Sequence, residues 1–399
     1  MTPRISTSGL YQQTLATLLA RQKDLAKTQQ QLATGNKLTR AADDPTGAAQ
    51  AQRLDHAIAS LDHYGRGANL LGNRLRLQES ALTDAGDYLA RARELAVQAN
   101  APTISPEDRK LIAIEVRQIR NELLAIANRD DGNGRRLFAG ARDGVVPFTE
   151  SGGRVTYAGD DGRNLVDVAP DLALADTEPG SEVFMRPRTG DGEIRGTAAA
   201  ANTGTGVLQS TRIADRAAWP AEPLRLTFTS PTTWEMRDGG GAVLSSGTYT
   251  PGGSITAAGV RIQLAGAPAA GDAFDVAPAP RQDVFATLQA LADALEAPAD
   301  SPAARARLGN AVGSGLTDIA AAQEHFLSIR ASTGARLNSL DGAADRRADE
   351  DVSLRGTLSE LRDVDYAEAT MRLNMQLSAI EAAQRTMLRV QSSSLFDKL

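Results

Sequence analysis

Heptad-like spacing of apolar residues at both ends of the chain is the feature that most restricts how it can fold. Between residues 11 and 32, apolar or glutamine side chains recur at alternating intervals of four and three, and residues 373–391 repeat this spacing. Such a stripe lies on one face of a helix and requires a second helix to bury it. We therefore predict that the two terminal stripes pair as a coiled coil. The predicted assembly interface consists of Tyr11, Leu15, Leu18, Leu25, Leu32, Leu373, Leu377, Ile380 and Met387.

Turn-forming residues mark where the first terminal helix ends and the next helix begins. Gly35 follows the last periodic residues of the N-terminal stripe, and glycine readily adopts the left-handed conformation that stops a helix. Asp44 can accept backbone N–H bonds as an N-cap, and Pro45 suits the first helical position, which needs no N–H donor. The sequence therefore predicts one helix ending near residue 34 and a second beginning near residue 45.

Apolar periodicity predicts further helices on both sides of the middle of the chain. A strict seven-residue repeat runs from Leu54 to Leu89, which is typical of a long helix in a bundle. Ser105 and Pro106 are suited to begin a third helix. Helical spacing returns after residue 281, with one short helix over 285–295 and another that begins near Pro302.

The segment 141–280 differs from its flanking segments in composition and in the spacing of its apolar residues. It holds more than half of the glycines and prolines, and its apolar residues alternate with polar ones, as in Val260, Ile262 and Leu264. This alternation predicts short, half-buried strands separated by turns. We predict a mainly α fold with an inserted antiparallel β domain at 141–280. The flanking segments 45–140 and 281–345 are predicted to form a helical rod domain, and 1–44 and 346–399 a terminal coiled-coil region.

The sequence shows no residue constellation typical of an active site or a bound cofactor. The absence of cysteine from all 399 residues excludes disulfides and thiolate metal sites. His56 and His63 are seven positions apart on a predicted helix, about 10 Å, which is too far to share a metal ion. His325 has no HExxH motif around it, and the glycine-rich turns lack the Gly-Lys-Ser/Thr ending of phosphate loops. We therefore predict no enzymatic activity and no catalytic, cofactor or metal site.

Charge and hydropathy restrict the partners of the chain. A formal net charge of -6 leaves no large basic surface to bind nucleic acid. No stretch approaches the roughly 18 apolar residues that a membrane helix needs, and the first residues lack the apolar run of a secretory signal. We predict neither nucleic-acid binding nor membrane anchoring. These features favour the cytoplasm unless another route exports the chain without cleavage.

Short motifs near both ends are similar to those of the flagellin superfamily, and within it to those of the hook-associated junction proteins. The helix stop at 32–38 and the proline after the paired aspartates match the junction proteins better than the filament flagellins. Filament flagellins also tend to close on Leu-Leu-Arg. The similar motifs are RIST at 4–7, LATGNKL at 32–38, ADDP at 42–45, NGRRLFAG at 133–140, GARLN at 334–338, DYAEA at 365–369 and SLFDKL at 394–399.

This resemblance implies a flagellin-like fold and a structural subunit at the junction between the hook and the filament of the bacterial flagellum. It implies export in unfolded form by the flagellar type III apparatus, without a cleaved signal, to the extracellular flagellum. The implied partners are the hook-side junction protein (hook-associated protein 1), filament flagellin, further copies of the chain in a ring, and a flagellar export chaperone. Two alternatives are a filament flagellin and an unrelated extracellular coiled-coil adhesin.

Overall fold

The computed structural model describes residues 7–101 and 103–392, and describes only the backbone of residues 7, 8, 10, 11 and 390–392. Six α-helices account for most of this part of the chain. Three of them precede a β-rich segment and three follow it, which confirms the predicted mainly α fold with an inserted β region. The helices are α1 (Thr7–Thr34), α2 (Pro45–Ala99), α3 (Pro106–Ala127), α4 (Val284–Glu296), α5 (Pro302–Arg362) and α6 (Tyr366–Ser392).

Between α3 and α4, the described residues form twelve antiparallel strands and a single π-helical turn, Ser181–Met185. The strands are β1 (Phe148–Ser151), β2 (Arg154–Tyr157), β3 (Leu165–Ala169), β4 (Leu172–Ala175), β5 (Ile194–Ala198), β6 (Val207–Ile213), β7 (Leu224–Ser230), β8 (Thr233–Arg237), β9 (Val243–Thr248), β10 (Ser254–Ala257), β11 (Val260–Ala265) and β12 (Ala273–Pro278). Strands β1 and β2 form one hairpin, and β3 and β4 form another. The remaining strands form two sheets, ordered β10-β11-β6 and β5-β12-β7-β8-β9.

The chain divides into two compact units. The described residues up to Arg66 and from Ala343 onward form the first unit, and Gly67–Gly342 form the second. The division falls within α2 and within α5, so each unit contains part of both helices. The three-part division expected from the sequence, with boundaries near residues 44, 140, 280 and 345, stays a prediction.

The core of the second unit is built on the inner face of α2. The seven-residue row continues through Ala68, Leu75, Leu82 and Leu89, none of which is more than 5% exposed. α3 packs against α4 and shares this core with α2 and α5. Each fully buried leucine or isoleucine contributes roughly 1.5–3 kcal/mol, so this row is a major source of stability. The apolar residues that α3 and α4 bury are Ile112, Ala113, Val116, Ile119, Leu123, Ile126, Ala127, Val284, Phe285, Leu288, Leu291, Ala292 and Leu295.

A cluster of aromatic rings joins the first part of the β-rich segment to this helical core. The Phe184 ring, in the π-helical turn, lies 5.6 Å from the Phe148 ring of β1 and 5.6 Å from the Phe326 ring of α5, measured between ring centroids. Phe138 and Phe285 complete the cluster. The sequence predicts that the β domain starts near 141, yet residues as far as Val183 and Phe184 belong to the helical core. Turn-rich composition does not distinguish such a segment from an independent domain.

The remaining strands, β5 to β12, have an apolar core of their own. Side chains from both sheets fill it, and none of its residues belongs to the helical core. Phe228 and Phe274 lie at its centre with their rings edge to face, 6.1 Å apart between centroids. Residues 194–278 therefore form a separate module, which we call the β module. Its buried core residues are Ile194, Leu224, Leu226, Phe228, Trp234, Met236, Tyr249, Ile255, Ala257, Val260, Ile262, Leu264, Phe274 and Val276.

Polar contacts connect the β module to the helices. Where the chain enters and leaves the module, the Ala279 N–H donates to the Glu193 carbonyl (2.8 Å) and the Gln282 N–H donates to the Pro187 carbonyl (3.0 Å). On α5, the Asn310 side chain accepts a bond from the backbone of β6 at Leu208 (2.8 Å) and donates to the Gly206 carbonyl (3.0 Å). The Asn310 amide thereby takes the place of a neighbouring strand along the edge of β6.

A buried arginine holds two turns against α2. Arg74 donates through Nε to Asp176 (2.8 Å) and through Nη1 to Asp131 (2.8 Å), and all three side chains are at most 7% exposed. Burial by itself would raise the pKa of Asp131. Hydrogen bonds from the Asn133 backbone, the Arg74 guanidinium and the Arg135 backbone outweigh this effect and hold the pKa below its ordinary value.

Replacing residues 194–278 by a two-residue Asn-Gly turn should leave the helical core folded, because Glu193 and Ala279 are already hydrogen-bonded neighbours. We expect the thermal midpoint of the helical unit, followed by circular dichroism at 222 nm, to change by only about 2–4 °C. Loss of the cooperative transition would contradict the independence of the two cores. A matched replacement of 145–278 removes Phe148 and Phe184 and should abolish the transition.

Replacing Arg74 by Met leaves two buried carboxylates without their cation, so we expect the free energy of unfolding at pH 7 to fall by about 3–5 kcal/mol. Because the pKa of Asp131 is depressed in the folded state, its stabilising effect is present at neutral pH and is lost as the pH falls through the folded pKa. The difference between wild type and variant should therefore narrow below about pH 4. Urea unfolding at pH 7 and below pH 4 measures the free energies of unfolding, and the exposed Arg76→Met variant is the control. A difference between wild type and Arg74→Met that does not change with pH would contradict the proposed role of the buried ion pairs.

Candidate assembly surfaces

Two turns in the first unit are paired by backbone hydrogen bonds. Gly35 directly follows α1 with a φ of 72°, the left-handed conformation expected of a helix stop. The Lys37 N–H donates to the Arg362 carbonyl (2.7 Å), and the Val364 N–H donates to the Gly35 carbonyl (2.8 Å). We call this pair of turns, residues 35–37 and 362–364, the clasp. It joins the turn after α1 to the turn between α5 and α6.

The start of α2 follows the expected capping chemistry. Pro45 is the first residue of α2, and the carboxylate of Asp44 accepts a bond from the Gly47 N–H (2.9 Å). Asp43 accepts a bond from Lys27 of α1 (3.0 Å), and this ammonium group holds the pKa of Asp43 below its ordinary value. The paired aspartates therefore shape the turn that leads into α2.

α1 packs against α6 within the first unit, so the terminal helices pair inside one chain. On α6, the least exposed positions recur at intervals of four and three. Leu18, Leu25 and Leu32 of α1 are half-buried, and Ile380 of α6 is only 8% exposed. We call the residues between these two helices the inner seam. On α6 the inner seam consists of Ala369, Leu373, Gln376, Ile380, Ala383 and Met387.

The inner seam is not wholly apolar. Thr28 and Gln31 of α1 are among its most buried residues, at 3% and 5% exposure. The Gln31 amide donates to the Lys37 carbonyl in the clasp (2.7 Å), whereas the buried Oε1 of Gln376 has no hydrogen-bond partner among the described residues. A polar residue at a seam position favours one register at a cost in stability. The α1–α6 pair is therefore specific in alignment and modest in strength.

Other apolar residues of the same two helices point away from the inner seam. Leu15 and Leu377, both predicted at the interface, are 38% and 42% exposed, and the side chain of Tyr11 lies outside the described residues. Four further exposed residues do not fit the four-three spacing and are therefore not predicted by it. Their signal is a spacing of four beside the stripe, as in Met371 and Met375. We call the exposed set, whose α6 members lie on both sides of the inner seam, the outer stripe: Leu15, Leu19, Met371, Met375, Leu377 and Leu388.

The structure places the nine predicted interface residues in three positions. Six are on the inner seam or beside it, two are on the outer stripe, and the side chain of Tyr11 lies outside the described residues. Their role in contacts between copies stays a prediction. The six on or beside the inner seam are Leu18, Leu25, Leu32, Leu373, Ile380 and Met387.

The histidines do not converge on a site. His56 and His63 are exposed on α2, and a ring nitrogen of His325 lies 2.8 Å from the Glu182 carbonyl. In residues 7–101 and 103–392, no three His, Asp or Glu side chains are grouped so that they could hold a metal ion. None of the helices described combines the length and apolar character needed to span a membrane.

The known proteins that resemble this chain in sequence or structure are flagellar proteins. A family model for the bacterial flagellin N-terminal helical region matches residues 5–143. The crystal structure of FlgL from Xanthomonas campestris is 44% identical, with a TM-score of 0.73 over 77% of this chain and 99% of that one. The flagellar junction protein FlgL from Legionella pneumophila is 27% identical, with a TM-score of 0.72 over 79% of this chain and 100% of that one. Flagellar hook-associated protein 3 of Escherichia coli K12 is 24% identical over 394 residues, 98% of each chain.

Helices at both ends, a clasp that joins them and a β-rich segment between them define a flagellin-like structural protein. Within this class, the chain is 44% identical to the FlgL structure from Xanthomonas campestris and covers 99% of that chain. The chain belongs to the flagellar hook-associated protein 3 (FlgL) family.

The inner seam and the outer stripe predict different effects of truncation. Ile380→Ala removes a buried side chain and should weaken the α1–α6 pair by about 2–5 kcal/mol. Leu377→Ala acts at a residue 42% exposed and should cost the isolated chain much less, about 0.5 kcal/mol. Hydrogen exchange of α1 and α6 in the purified protein measures the difference, with exposed Glu381→Ala as the control. Equal deprotection by both variants would contradict the distinction between the buried inner seam and the exposed outer stripe.

Proposed function

We propose that this chain is the structural subunit that joins the hook to the filament of the bacterial flagellum. The observation that supports it most strongly is the match to Escherichia coli hook-associated protein 3 over 98% of both chains. The Legionella pneumophila relative is named a flagellar junction protein, which supports the same role. In this proposal the chain acts through assembly and catalyses no reaction.

The outer stripe supplies the physical basis for assembly. Its six large apolar residues are between 38% and 65% exposed on α1 and α6. Exposed apolar side chains gain free energy only when a neighbour covers them, at about 25 cal/mol per Å² of apolar surface buried. Neighbouring subunits of an axial structure would cover them. Leu15 and Leu377 are thus the predicted interface residues best placed for contacts between copies, while the inner seam holds each chain together.

The proposed partners follow from a position between two different structures. They are the hook-side junction protein (hook-associated protein 1) on one side, filament flagellin on the other, and further copies of this chain in a ring. Export through the flagellar type III apparatus, with the help of an export chaperone, would place the protein in the extracellular flagellum. The modest strength of the polar inner seam supports export in unfolded form, since helices held weakly are also unfolded at low cost.

Deleting the gene should produce hooks without filaments and flagellin secreted into the medium, because flagellin would lack its attachment ring. Electron microscopy of the cells and immunoblotting of the medium measure the two effects, and a plasmid copy of the full chain should restore filaments. Normal filaments in the deletion strain would refute the junction role. Retained hooks with no secreted flagellin would instead place the protein in the export machinery.

A further inference from the structure

A shallow groove lies between α6 and Arg21 of α1, and Met371 and Met375 of the outer stripe line it. Its volume is about 690 Å³, and its lining is mainly apolar. Both methionines are more than 60% exposed. Arg21 of α1 and Arg372 of α6 also line the groove. Arg372 is paired with Glu368 one turn away, whereas Arg21 has no ion pair among the described residues. The groove therefore presents flexible apolar side chains between positive charges.

A complementary surface lies on α5 in the same unit. Asp345, Asp349, Val352 and Gly356 follow one another at intervals of four, three and four, which places them on one face of the helix. All four are exposed, and Val352 is 71% exposed. In the described part of the chain, Asp345 and Asp349 take part in no ion pair. We call this row the acidic face of α5.

The charges of the first unit are segregated between these surfaces. α1 carries Arg21, Lys23 and Lys27 against Asp24, a net charge of 3 - 1 = +2. The part of α5 from 345 to 356 carries Arg346, Arg347 and Arg355 against Asp345, Asp349, Glu350 and Asp351, a net charge of 3 - 4 = -1. Surfaces of opposite charge attract one another and set the orientation in which they meet.

We infer that the groove between α1 and α6 binds the acidic face of α5 of a second copy of this chain. In this contact Val352 lies against Met371 and Met375, and Asp349 lies near Arg21. The lengths agree, because the groove residues 371–379 span about 12 Å of helix and the acidic face 345–356 about 16 Å. An amphipathic helix face laid in an apolar groove is a common mode of recognition.

The symmetry of the contact fits the proposed ring. The groove and the acidic face are different surfaces of one chain, so each copy offers one to the neighbour ahead and the other to the neighbour behind. Head-to-tail contacts of this kind generate rings or helices, whereas a surface that pairs with itself closes into a dimer. The inference rests on the proposed function, since it concerns how copies meet in the junction.

Cysteine cross-linking tests the contact directly, because the chain has no cysteine of its own. A full-length chain carrying both Met375→Cys and Val352→Cys should form a ladder of dimers, trimers and longer species when isolated flagella are oxidised and run on a non-reducing gel. Each single variant should give no species beyond a dimer. The matched control combines Met375→Cys with Glu350→Cys, which lies two residues before Val352 on another side of α5, and should give at least fivefold less ladder.

Charge exchange provides an independent test. Arg21→Glu alone and Asp349→Arg alone should each reduce the number of hooks bearing filaments about fivefold to tenfold, and the two together should restore at least half of the wild-type number. Lys23→Glu makes the same charge change on α1 away from the groove and should leave the number within twofold of wild type. Secreted protein is measured in parallel, so that each value refers to exported chain.

The outcomes separate this inference from the proposed function. If the wild-type chain restores filaments to the deletion strain but the cysteine pair gives no ladder, the inference is wrong and the junction role stands. An oxidised product that migrates as a monomer would place the acidic face in the groove of its own chain and would also overturn the inference. Failure of the charge exchange to restore filaments, with each single reversal harmful, would exclude the pairing of Arg21 with Asp349.

Discussion

Burial of the inner face of α2 is the interaction on which the rest of the second unit depends. Leu82, Leu89 and Leu95 are at most 1% exposed, and α3, α4 and α5 share the core that they form. The aromatic cluster around Phe184 extends this core into the β-rich segment and ties its first part to the helices. None of this core comes from the β module, whose attachment to α5 includes the hydrogen bonds of Asn310.

The first unit has less apolar burial than the second and relies more on backbone hydrogen bonds, which suits a unit that assembles with neighbours. Its inner seam includes Thr28, Gln31 and Gln376, so its apolar burial per turn is lower than that of the core along α2. The clasp compensates by joining the ends of two helices through backbone bonds that do not depend on side-chain identity. A unit that is aligned but weakly held, with apolar residues left on its outer stripe, gains most of its remaining stability from neighbours.

The sequence predicts the helices well because their signals are local. Leu61, Leu75 and Leu82 recur at strict intervals, and Gly35 and Pro45 mark helix ends by backbone chemistry. The faces of the terminal helices are harder to predict, because an apolar residue such as Leu377 lies beside the stripe and looks like part of it. The inner seam uses Ala369, Gln376 and Ala383 instead, which carry little apolar signal. The groove could not be predicted either, since it depends on how two distant segments align.

The two hydrogen-bonded chain segments at the base of the β module also affect how such a protein can change over evolutionary time. Pro187 and Gln282 are hydrogen-bonded neighbours at this base, so a different insert can replace the module there without separating the host helices. Substitution of helical residues that contact other subunits is restricted by each of those contacts. Substitution in the insert is restricted mainly by packing within the insert's own core. The surface residues of the insert should therefore change faster between related proteins than the helical residues that contact neighbouring subunits.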